Sequence, residues 1–89
     1  MEQKIRVMVA EDLPLLREDV CDVVYSQEDM EVGGAAATGE EIVALAAKTP
    51  CDVILMDIEM ETIDAGIRAA EVITAQKPQV KILFLTAHE

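Results

Sequence analysis

The sequence predicts an α/β fold: a doubly wound parallel sheet of four strands, alternating strand and helix from one end of the chain to the other. Three observations predict it. Four short apolar runs begin about 22 to 29 residues apart, the spacing of successive strands in βαβ units. Between the runs the apolar residues change to three- and four-residue steps, the period of an amphipathic helix. The third and fourth runs are nearly continuous in aliphatic side chains, as strands are when helices cover both faces.

Taken in order, residues 4–10 (KIRVMVA) read as the first strand. Helix one is expected over 13–26, with Leu13, Leu16, Val20 and Val23 or Val24 facing inward and Arg17, Glu18 and Asp22 on the other face. Residues 30–36 (MEVGGAA) read as a second strand weakened by Gly33 and Gly34. Thr38 three residues ahead of Glu41 resembles a capping box and opens helix two over 39–47, which stops before Pro50. Residues 52–56 (DVILM) are the third strand. Helix three covers 65–76, with Ile67, Ala69, Ala70 and Ile73 inward, and stops before Pro78; residues 81–85 (KILFL) are the fourth strand.

Composition excludes several classes. With 89 residues there is room for one domain and one core. Eighteen acidic against seven basic residues give a net charge of −11, which repels phosphate backbones and anionic lipid. Direct nucleic-acid or membrane binding is not expected. Cys21 and Cys51 form no disulfide framework, no secretory leader opens the chain, and the apolar runs are far shorter than a membrane span, so a reducing cytoplasm is the expected setting. The single serine, Ser26, and single histidine, His88, build no catalytic triad, and the four glycines build no dinucleotide or phosphate loop. Cys21, Cys51 and His88 lack zinc-site spacing.

Carboxylates remain. In open sheets of this kind the working site lies beyond the carboxyl ends of the strands, where the winding reverses. Glu11 and Asp12 follow the first strand, Asp57 and Glu59 follow the third, and Thr86 closes the fourth. Two carboxylates about 4 Å apart repel by roughly 4 kcal/mol at an effective dielectric of 20. Their convergence therefore calls for a shared proton or a cation, and an oxygen-only pocket suits Mg²⁺ and phosphoryl chemistry.

At these residues a resemblance becomes specific. VAED at 9–12, DVILMDIEM at 52–60 and LTA at 85–87 occur in the right order on the right elements. The chain resembles the receiver domain of two-component response regulators, most closely the receivers of helix-turn-helix (LuxR/NarL-type) transcriptional regulators. The resemblance implies a flavodoxin-like (CheY-like) sheet in the strand order 2-1-3-4. It further implies that Asp57 is a phosphoacceptor taking a phosphoryl group from a sensor histidine kinase. Asp12 and Asp57, with the backbone carbonyl of Glu59, would bind Mg²⁺ directly, and Glu11 would act through a water. Thr86 would be the switch, its hydroxyl moving to the phosphoryl group. Such a module is a phosphoprotein that controls an output, here transcription, rather than a turnover enzyme.

The family's domain runs on through a fifth strand and helix, so residues 1–89 read as a receiver lacking those two elements and any output domain. The family's Lys on the fifth strand, and the aromatic partner of the Thr switch, would lie beyond Glu89. Glu61 stands where the family often has Pro, and 62–66 is one residue longer than usual, so the loop over the site is expected to be displaced. Glu61 and Asp64 themselves read as solvated loop charges. Two other functions compete with this reading: a receiver-like dimerisation module that no longer switches, and a haloacid-dehalogenase-type phosphohydrolase. The latter's motif wants Asp at Glu59 and Thr or Val at Glu61. An apolar fourth strand left at the sheet edge is expected to promote self-association.

Overall fold

The computed structural model describes residues 3–85. Strands β1 (Ile5–Ala10), β2 (Met30–Ala36), β3 (Val53–Asp57) and β4 (Lys81–Leu85) alternate with helices α1 (Pro14–Tyr25), α2 (Gly39–Lys48) and α3 (Ala65–Gln76). All strand pairs are parallel and the order is β2-β1-β3-β4, as expected. The winding reverses between β1 and β3, where the chain turns outward in both directions.

One face of the sheet holds the main core. Met8 and Ala10 of β1 with Ile54 and Met56 of β3 pack under Ile42 and Ala46 of α2 and Ala69 and Ile73 of α3. The alternate residues Val7 and Val9 are equally buried on the other face, which α1 covers. That cover is partial. Of the alternatives Val23 and Val24 it is Val24 that α1 buries, whereas Leu13 and Leu16, read as inward from their spacing, are exposed. Among the described residues α1 packs alone on its face, so only the narrow strip resting on the sheet is sealed.

Three local features differ from the sequence reading. Strand β3 runs one residue further than expected, so that Asp57 is its last residue and inherits the strand's direction. Helix α2 continues to Lys48, whose charge sits favourably in the last turn. In β2 the register slips between Val7↔Val32 and Met8↔Gly34, leaving Gly33 as an extra residue. Gly34 lets Leu45 pack close to the strand: a Cβ there would lie 2.7 Å from the Leu45 Cδ2, and that side chain would have to shift. The two glycines thus mark a bulge and a helix contact, and the strand survives.

Candidate phosphoacceptor and metal site

Register builds the site. Ala10 pairs with Met56, so the next residues, Glu11 and Asp57, emerge side by side at the carboxyl edge, and Asp12 follows. One carboxylate oxygen from each of the three lies within 4.8 Å of the others. Glu11 is 1% exposed and Asp57 8%, while Asp12 faces solvent. The sheet therefore gathers the three carboxylates that the sequence singled out.

Burial pushes the Glu11 carboxyl up to about 7, against an opposing hydrogen bond from the Leu13 N–H. Burial is the largest contribution to that value, and hydrogen bonding with Asp12 and the nearby Asp57 charge are smaller contributions to it in the same direction. Leu13 N donates to Glu11 Oε2 at 3.1 Å, which turns the chain from β1 into α1. Among the described residues no side chain caps α1; Leu13 stands at the cap and Pro14 opens the helix, where its missing N–H costs nothing.

The residues fit a hard divalent cation. They offer only oxygen donors, two of them largely removed from water, and a cation would relieve the mutual repulsion that now favours a proton on Glu11. Glu59 is exposed, and its carboxylate is outside the cluster among the described residues, which leaves its backbone carbonyl as the group it could offer. Thr86 and Ala87 lie outside the described residues.

Two partners of the site were missed by sequence reasoning. Arg17, assigned to the far face of its helix, reaches back so that its Nη1 donates to the Glu11 carbonyl oxygen at 2.8 Å and braces the acidic turn. Its place six residues after Glu11, between one and two helical turns along, was the available signal. The second is Glu61, which is not a free loop charge. Its carboxylate accepts from the Gly39 N–H at 2.7 and 2.9 Å. Desolvation pushes this carboxyl up, but the N–H groups of Gly39, Glu61 and Glu40 outweigh it and hold it below its ordinary value. Nothing local in the sequence points to a pairing across 22 residues.

The β3–α3 loop is closed by a turn. Met60 N donates to Thr62 O at 3.0 Å and Thr62 Oγ1 to Asp64 Oδ1 at 3.0 Å, and the chain rejoins the site through Gly66 N donating to Ile58 O at 2.8 Å. A Cβ at Gly66 would lie 2.0 Å from the Asp57 carbonyl oxygen, so only glycine lets α3 start this close to the strand end. Away from the edge, Cys51 is buried, Cys21 half-buried, and burial pushes both thiols up. No helix among the described residues is long and apolar enough to cross a membrane.

Comparison with known proteins agrees with this geometry. The family profile described as response regulator receiver domain matches residues 7–89. The chain is 46% identical over 88 residues to the uncharacterized transcriptional regulatory protein YxjL of Bacillus subtilis, covering 99% of this chain and 40% of that protein. It is 37% identical over 83 residues to the response regulator protein VraR of Staphylococcus aureus, covering 93% and 39%. The chain thus spans about two fifths of the length of these relatives. Among solved structures, the response regulator domain of Thermotoga maritima CheB superposes with a TM-score of 0.88 at 37% identity, over 94% of this chain and 61% of that one. A LuxR-family two-component response regulator from Aurantimonas gives 0.88 at 26% identity, over 98% and 61%.

Proposed function

This chain belongs to the response regulator receiver domain family, and from that premise we propose that it is the phosphoacceptor module of a two-component phosphorelay, with Asp57 as the residue that is modified. The observation that carries the reading is the convergence of Glu11, Asp12 and Asp57 within 4.8 Å at the switch point of the sheet. Asp57 is the nucleophile by placement: it ends a buried strand, is 8% exposed, and its carboxylate is aimed at the edge where Asp12 meets solvent.

In the reaction an Asp57 carboxylate oxygen attacks the phosphorus of a phosphohistidine on a sensor kinase. The new O–P bond forms as the P–N bond breaks, and the imidazole leaves with its electron pair. Positioning and charge neutralisation are the main demands of such a transfer. Asp12, Asp57 and the Glu59 carbonyl would hold Mg²⁺, with Glu11 acting through a water, and the ion would supply that neutralisation. Arg17 and the Leu13 N–H keep the acidic turn in place. Thr86 is proposed as the switch that senses the phosphoryl group with its hydroxyl. The whole protein would be a cytoplasmic regulator in which residues 1–89 make up most of the receiver and an output domain acts on transcription; the name of YxjL, a transcriptional regulatory protein, supports that output.

A haloacid-dehalogenase-type hydrolase is disfavoured by Glu59, whose carboxylate lies outside the cluster. A receiver-like module that only dimerises would keep the fold and the exposed β4 edge but would not accept the phosphoryl group. Incubation with a small acyl phosphate and Mg²⁺ separates the two. The expected outcome is a mass gain of one phosphoryl group, labile to hydroxylamine and absent in Asp57→Asn. A gain that survives Asp57→Asn, or no gain at all, refutes the assignment.

A further inference from the structure

The first turn of a helix leaves N–H groups without partners inside the helix. Helix α2 satisfies its own from two sources. Thr38 Oγ1 accepts from Glu41 N at 3.0 Å while Glu41 Oε1 accepts from Ala37 N at 2.8 Å, a local box close to the one the sequence suggests. The remaining donors turn to Glu61, with Gly39 N at 2.7 and 2.9 Å from its two oxygens and Glu40 N at 3.4 Å. The approach is close: a Cβ on Gly39 would lie 3.2 Å from Glu61 Oε2 and 3.1 Å from the Ala65 carbonyl. The helix dipole adds to the attraction for this anion.

Glu61 does not belong to α2. It sits in the loop that leaves Asp57 and enters α3, two residues beyond Glu59. That loop is pinned at its base by Gly66 N on Ile58 O and at its crest by Glu61 on α2. Glu59 lies between the two pins. Building on the proposed metal role of the Glu59 carbonyl, we propose that Glu61 is a positioning residue that latches the β3–α3 loop onto the amino end of α2 and so holds that carbonyl ready for the divalent cation. The contact takes over the work of loop rigidity in a sequence that has no Pro at this position.

A latch of this kind is reciprocal: if it strengthens cation binding, cation binding strengthens it by the same factor. The test uses Mg²⁺ alone, titrated into the parent, Glu61→Ala and Glu61→Gln and followed by NMR shifts at the ends of β1 and β3. Amide exchange at Gly39 and Glu40, and urea stability, are measured alongside. Glu61→Ala should weaken Mg²⁺ binding by about five- to tenfold, and Glu61→Gln, which keeps one acceptor oxygen, should recover part of the loss. In the parent, saturating Mg²⁺ should slow exchange at Gly39 and Glu40, a measurement that requires no variant to fold. A cap with only a structural role would lower stability while Mg²⁺ affinity stayed unchanged, and parent exchange would ignore the cation; that result overturns the latch. If the parent itself binds no Mg²⁺, and Asp12→Ala behaves identically, the reading of the acidic edge falls and the latch with it.

Discussion

Glu11→Gln should make the protein more stable at neutral pH, and the gain should vanish in acid. Glu11 is buried beside Asp57, and its carboxyl is pushed from 4.5 to about 7. Between those two values the native state holds a proton that the unfolded chain has released. Stability therefore falls as pH rises through this window: the contribution is intact below about 4.5 and gone above about 7. At 1.36 kcal/mol per pH unit the displacement is worth about 3 kcal/mol, a large share of the ~5 to 15 kcal/mol that holds a small domain together. Glutamine has nearly the same shape and can still accept from the Leu13 N–H, but it carries no charge to bury. Urea denaturation of both proteins in a chelator, from pH 4 to pH 8, should give curves that coincide at the acid end and separate by about 3 kcal/mol at the other. Titrations common to both, such as those of the exposed carboxylates, cancel in the difference. Mg²⁺ at pH 8 should recover much of the parent's loss and little in the variant. Parallel curves across the range would refute the claim that Glu11 is the strained member of the cluster.

Gly66→Ala places a Cβ where the Asp57 carbonyl now sits, so the backbone must give way, and a loss of about 1 to 3 kcal/mol is expected in urea melts; an unchanged midpoint would show that α3 does not approach as described. Among the described residues β4 is an edge strand with Leu83 57% and Phe84 43% exposed. Light scattering over a concentration series should show self-association that Phe84→Glu weakens. A concentration-independent monomer with slowly exchanging amides at 81–85 would refute it.

What the sequence made legible was whatever depends on near neighbours in the chain. The bounds of α3 and of β2 and β4 follow from period and punctuation, and Glu11, Asp12 and Asp57 are found because strand ends in a parallel sheet share one edge. The readings that failed depend on what lies across space. Leu13 and Leu16 have helical spacing, but spacing alone does not say how wide a strip of α1 the sheet can cover. Gly33 reads as weakness until the register with β1 shows it to be a bulge. Glu61 looks like a loop charge because its partner is the backbone of Gly39, and a backbone N–H has no signature in sequence. The tie from Arg17 to Glu11 is invisible for the same reason: it ends on a carbonyl oxygen.

Lys77 closes the far end of the pair formed by α2 and α3. Its Nζ donates to the Ala46 carbonyl oxygen at 2.6 Å, just past the end of α3 and within the last turn of α2. With Glu61 at the amino end, the two helices are cross-tied top and bottom, like a panel with two rails, and the panel is hung on the Ile58 carbonyl oxygen through the Gly66 N–H. Helix α3 is 12 residues, or about 18 Å, long, so a swing of a few degrees at that hinge carries its far end by about an ångström. The rails oblige α2 to follow. A small displacement of the Ile58 carbonyl, one residue past Asp57, would thus be passed to the two tied helices together.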